Sequence, residues 1–219
     1  MTGCFQKELR FIEEQIQSYY ALNASQSALD YLVNYEDLIE ATGTKPQSSS
    51  AGLYLVAEAA EQCFMGLYLP QEVIHNIEQN PPSLHLHNGN LNSYWVCVEE
   101  VCHFHQLLTR FEQKRVVSRL ELELQGEVDK LLFAALLLQK QNGFCGIRLM
   151  AYLLFEKSVI FGDELYQEAS RLAAQFWYPL INFGIGEAVS LLSEKFVEFM
   201  RINYHQPLAE KQFNRRWKP

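Results

Sequence analysis

Residues 94–140 read YWVCVEEVCHFHQLLTRFEQKRVVSRLELELQGEVDKLLFAALLLQK, and the periodicity of this stretch decides the fold class. Apolar side chains recur at helical spacing on both sides of a polar break at residues 114–117. Ser118 followed by Glu121 forms a capping box, in which the hydroxyl takes a free N–H of the first turn and the carboxylate reaches back. The leucine-rich continuation runs into Asn142-Gly143, a helix stop. The spacing therefore predicts helices over about 93–112 and 118–141, folded back on each other as an antiparallel hairpin.

Working outward, Leu9, Ile12, Ile16 and Tyr19 share one face of a helix over about 5–20. Further helices are expected over about 25–41, 51–67, a short one from Pro70 to the Pro81-Pro82 pair, 146–156, 163–177 (stopped by Pro179) and 187–204. No segment alternates convincingly enough for a strand. The expectation is an all-α chain: a single helical-bundle-like domain of about nine helices, with loops near 43–50 and 80–92 and a flexible basic tail at 206–219.

A chain of 219 residues with 48% apolar and 13% aromatic side chains can bury a sizeable core. A net charge of −8 with dispersed Lys and Arg argues against nucleic acid as a partner, the one basic aromatic segment being residues 211–218, KQFNRRWK. The apolar run Leu131–Leu138 is far short of the roughly 20 residues that span a bilayer, so no membrane partner is expected. Five cysteines without CxxC spacing read as reduced, mostly packed thiols, and with no secretory segment at the start the expected location is cytoplasmic.

Chemistry-bearing residues concentrate in the central hairpin. On a helical wheel Gln106, Glu99, Arg110 and His103 form a narrow polar stripe with Glu100 at its edge, on a helix otherwise apolar; His105 points elsewhere and reads as a hydrogen-bonded core histidine. On the next helix Arg119, Glu123, Glu127 and Lys130 share an arc that reads as an ordinary solvated face, while Gln125 and Asp129 sit among Leu122, Leu132 and Leu136. An antiparallel hairpin would set His103 level with Glu127, and Glu100 level with Asp129 or Lys130. Glu100-x-x-His103 has the spacing by which one helix offers a carboxylate and an imidazole to one metal, which makes Glu100, His103, Glu127 and Asp129 the candidate ligands. A second Glu-x-x-His, Glu72 with His75, and the lone carboxylates Glu58 and Glu61 could extend this to a di-metal set, although their order along the chain departs from that of carboxylate bundles.

Gly-rich phosphate loops, Gly-x-Ser-x-Gly and His-Glu-x-x-His are absent, and His85-x-His87 beside Asn88-Gly89 reads as a turn. The aromatic side chains Phe176, Trp177, Phe196 and Phe199 read as core. Glu-x-x-His arises readily by chance in a glutamate-rich chain. The preferred expectation is therefore a non-enzymatic helical interaction or regulatory protein without a cofactor, acting through a protein partner or as a homo-oligomer. The alternative is a metal-dependent oxidoreductase, di-iron or heme-oxygenase-like, using Glu100 and His103 with iron or another divalent metal.

Overall fold

The computed structural model describes residues 3–22, 25–43, 51–59, 62–157, 164–182 and 191–206. It is all-α in class, with eight α-helices and one small three-stranded sheet among those residues. The helices are α1 (Gly3–Tyr20), α2 (Tyr35–Thr42), α3 (Gln71–Gln79), α4 (Leu91–Glu112), α5 (Arg119–Asn142), α6 (Ile147–Tyr152), α7 (Glu164–Asn182) and α8 (Glu194–His205). The strands are β1 (Leu32–Val33), β2 (Gly52–Ala59) and β3 (Gln62–Tyr68).

Local chemistry explains the boundaries of the central pair. Ser118 Oγ accepts from the Glu121 N–H at 3.1 Å and starts α5, and Gly143 ends it with φ of 72°, a left-handed conformation open to glycine at little cost. The α4–α5 turn passes through Lys114, also left-handed, and is closed by the Arg115 N–H donating to Arg110 O. Contacts pairing His103 with Leu122, Glu99 with Lys130 and Tyr94 with Phe133 run in opposite directions along the two helices, so the pair is antiparallel.

Around this pair α1 buries Phe5, Leu9, Ile12, Ile16, Tyr19 and Tyr20, and α7 lays Phe176 and Trp177 against α5, where the Trp177 indole N–H donates to Val128 O at 3.2 Å. α8 is tied in by Arg110, which is 2% exposed and donates to the terminal carbonyls of Tyr204, His205 and Gln206 while pairing with Glu121 at 3.0 Å. One buried arginine thus supplies the donors that the end of a helix lacks. Cys97, Cys102 and Cys145 are buried free thiols and Cys4 is an exposed one. Among the described residues no helix is long and apolar enough to cross a membrane.

Three sequence expectations change. The helix expected over 51–67 is a β-hairpin, with Leu53 opposite Leu67, Tyr54 opposite Gly66 and a register irregularity between Ala57 and Ala59; β1 adds to it parallel, in the order β1-β3-β2. The helix expected over 25–41 divides into a 3-10 turn (Ala28–Tyr31), β1 and α2, because Asn34 caps a new helix by accepting from the Asp37 N–H at 2.8 Å. Pro179 does not stop α7. Its last turn is held by buried Leu180 and Ile181 and by Arg148 donating to Ile181 O at 3.2 Å, so packing outweighs the lost backbone donor. Residues 44–50, the start expected for the last helix at 187–190 and the tail beyond Gln206 lie outside the described residues, as does Glu61.

Candidate metal centre

Where α5 faces His103 and Glu99 of α4 it has a glycine, Gly126. A Cβ built on Gly126 would lie 2.9 Å from His103 Nε2 and 3.1 Å from Glu99 Cγ. Glycine inside a helix costs about 1 kcal/mol relative to alanine. The close approach it permits sets the His103 imidazole against α5, where Nε2–H donates to Leu122 O at 3.1 Å.

The imidazole is ringed by carboxylates. Glu100 Oε2 lies 3.7 Å from Nδ1 and Glu123 Oε2 lies 3.8 Å from Nε2. Ligand atoms of Glu99, His103 and Glu123 all fall within 4.8 Å of one another, the separation of donors that share one cation. Lys130 Nζ contacts Glu99 at 3.1 Å and also pairs with Glu127, and Arg119 Nε lies 3.7 Å from Glu123. These groups line or adjoin a cleft of about 520 Å³ whose walls are residues 51–55 of the hairpin, Val96 and Leu107 of α4, Leu122 of α5 and Tyr166 of α7.

The electrostatics follow from burial. Desolvation alone would lower the pKa of His103, but Glu100, Glu99 and Glu123 reverse that and raise it to about 9. Desolvation raises the pKa of Glu100 and of Glu123 despite the nearby imidazole. Lys130 follows the logic of His103: burial works against its charge, yet Glu99 and Glu127 hold its pKa above the usual lysine range. Four carboxylates here face three cationic groups, leaving one negative charge in a poorly solvated place. Glu100 Oε2, on a residue 6% exposed, has no hydrogen bond.

Of the residues singled out from the sequence, Glu100 and His103 come together as their i,i+3 spacing requires. Glu127 turns to Lys130. Asp129 is fully buried among other neighbours, where Oδ1 accepts from the Tyr20 hydroxyl and from Gln125 Nε2, the latter at 2.9 Å. His105 is a buried partner of Glu13 at 3.0 Å; burial would raise the Glu13 pKa, but bonds from His105, Ser27 and the Ala28 N–H outweigh it and lower the value. Glu72 and His75 are exposed on α3, away from the cleft lining, and His87 Nδ1 accepts from the Gly89 N–H within its own loop. The side chain of Glu58 lies outside the described residues.

The sequence places Glu99 on the polar stripe of His103 but leaves it and Glu123 out of the candidate ligands, and it gives the arc carrying Glu123, Glu127 and Lys130 as a solvated face. All three of those side chains are buried or nearly so, at 7%, 9% and 8% exposure. The signal that could have identified the arc is Gly126 within it, since a glycine amid helix formers marks a close approach. The chain matches no protein-family model, no curated protein and no solved structure.

Proposed function

We propose that this is a divalent-metal-binding protein in which Glu99, His103 and Glu123 hold one ion at the wall of the cleft, the ion taking the place of the Nε2 proton now donated to Leu122 O, with Glu100 orienting the imidazole through Nδ1. The observation that carries this reading is the convergence of those three ligand atoms within 4.8 Å in a buried, carboxylate-rich site. A carboxylate behind a metal-bound histidine is the usual device for fixing ring and tautomer. Exchange of the His103 proton for a divalent ion also neutralises the residual negative charge. Two carboxylates and one imidazole suit manganese, iron or zinc and leave positions open for a ligand. Of the two classes expected from the sequence, this favours the metal-dependent one, as a mononuclear site.

The test is calorimetric titration of Mn²⁺ into the chelator-treated full chain. One equivalent should bind, with affinity reduced about 100-fold or more in His103→Ala and in Glu123→Gln while both variants keep the wild-type helical spectrum. A folded wild type that binds no Mn²⁺, Fe²⁺ or Zn²⁺ would leave His103 and Lys130 as the permanent counter-charges of a structural network, and the proposal would fail. A homo-oligomer is the second reading, favoured by Phe111 and Val116, which are 83% and 96% exposed on either side of the α4–α5 turn. Light scattering at rising protein concentration tests it.

A further inference from the structure

A second cleft, of about 350 Å³, opens where α1 ends beside the last turns of α4, and it shares no lining residue with the cleft of the metal site. The chain leaves α1 through a left-handed turn at Ala21, φ 52°, in which the Leu22 N–H donates back to Gln17 O at 2.9 Å. That conformation is costly for a residue with a Cβ. The turn sets Leu22 in the cleft wall, together with Leu108 and the largely exposed Phe111 of α4. His105, 1% exposed, is the buried polar group of the lining. Its Nε2 faces α1, 3.0 Å from Glu13 Oε1 and 3.5 Å from the Gln17 amide nitrogen. Glu13 also accepts from the Ser27 hydroxyl at 2.6 Å and from the Ala28 N–H at 2.7 Å, so it is an acceptor here and Nε2 carries the ring proton. Nδ1 then bears the lone pair, and the ring's contacts with α1 leave it unused. A carboxylate behind one ring nitrogen strengthens the other as an acceptor.

We infer that this cleft binds a small phenol, its hydroxyl donating to His105 Nδ1 and its ring laid against Leu22, Leu108 and Phe111. The inference does not depend on the metal reading. A hydroxyl donor matches a buried acceptor that otherwise lacks one. A flat ring matches the exposed face of Phe111, since aromatic pairs gain beyond the area they bury. An anion is disfavoured, because Glu13 stands behind the imidazole and Glu112 is in the lining. A volume of about 350 Å³ lies at the small end of ligand clefts, as suits a single six-membered ring.

The experiment is an NMR-detected titration of the full chain with phenol, anisole, cyclohexanol and benzoate. Anisole keeps the ring but loses the donor and should bind about tenfold more weakly than phenol. Cyclohexanol keeps the donor but not the flat ring and should bind about fivefold more weakly. Benzoate should not bind. Phe111→Ala, at an exposed position, should weaken phenol about fivefold while the helical spectrum stays that of the wild type. In the wild-type chain phenol should move the ¹⁵N resonance of His105 Nδ1 upfield, as acceptance of a hydrogen bond does, and this readout needs no change at His105 itself. Anisole as tight as phenol, an unmoved Nδ1 resonance, or a Phe111→Ala variant that loses nothing overturns the inference, and so does benzoate as tight as phenol. Each of these results leaves Mn²⁺ binding at His103 to be judged by its own titration.

Discussion

Replacing Gly126 with alanine puts the closeness of α4 and α5 to a test of sign. On an isolated helix the change stabilises by about 1 kcal/mol, because alanine is the better helix former. Here the new methyl would lie 2.9 Å from His103 Nε2 and 3.1 Å from Glu99 Cγ, both inside ordinary contact distance. The imidazole tip cannot swing away freely: it donates to Leu122 O at 3.1 Å and sits between Glu100 and Glu123. Overfilling a packed interior costs about 1–3 kcal/mol. Set against the propensity gain, the expected result is a net loss of about 1 kcal/mol, measured by urea unfolding at neutral pH. The displaced imidazole should also lose part of its carboxylate cage, so its NMR titration midpoint should fall from about 9 toward the ordinary histidine value. Stabilisation by about 1 kcal/mol with an unchanged midpoint would refute the reasoning, since it would mean that nothing stands opposite Gly126.

Two further predictions concern the buried charges. The folded pKa of His103, about 9, lies above its ordinary 6.5, so its charge stabilises the metal-free fold fully below pH 6.5 and that contribution is lost as pH rises through 9; the gap corresponds to at most about 3 kcal/mol. Urea unfolding of wild type and His103→Gln at pH 6.5 and 9 should show the wild type losing more stability, and parallel losses in the two proteins would refute it. Asp129→Ala leaves the Tyr20 hydroxyl and the Gln125 amide without their shared acceptor and should lower stability by about 1–3 kcal/mol, whereas an unchanged melting temperature would place Asp129 outside the core network.

How far the fold was legible depends on how many local signals agreed. α5 was the plainest element, because its capping box, its leucine-rich face and the glycine after Asn142 all point to the same boundaries. The hairpin was hidden for two physical reasons. Residues 57–62, AEAAEQ, are strong helix formers by composition, yet residues 57–59 end β2 and Gln62 begins β3. β3 is the central strand, and its end, Leu67, Tyr68 and the following Leu69, is buried at every position, so the alternation that marks a half-exposed strand is missing. Gly52 and Gly66 were the contrary signals, both costly inside a helix and tolerable where Gly66 faces Tyr54 across the hairpin.

The site divides along the same line between local and distant information. Glu100 and His103 were legible because i,i+3 on one helix fixes their separation without reference to anything else. The partner from α5 depended on the register of the hairpin, and the sequence suggested Glu127 opposite His103 where the structure sets Leu122 and Glu123 there. That is a slip of about one helical turn, or about 5.4 Å along the axis, enough to exchange one carboxylate for another on the same face. The turn that sets the register passes through left-handed Lys114 and closes on Arg110, neither of which announces its conformation by residue type. Spacing along α5 could not discriminate either, since Arg119, Glu123, Glu127 and Lys130 would form the same i,i+4 and i,i+3 pairs on a solvated helix. What separates the two cases is desolvation. On a solvated face those charges would be worth a few tenths of a kcal/mol per pair, but against α4 they cannot be left unpaired, so Gly126, Lys130 and His103 form one unit whose members must change together.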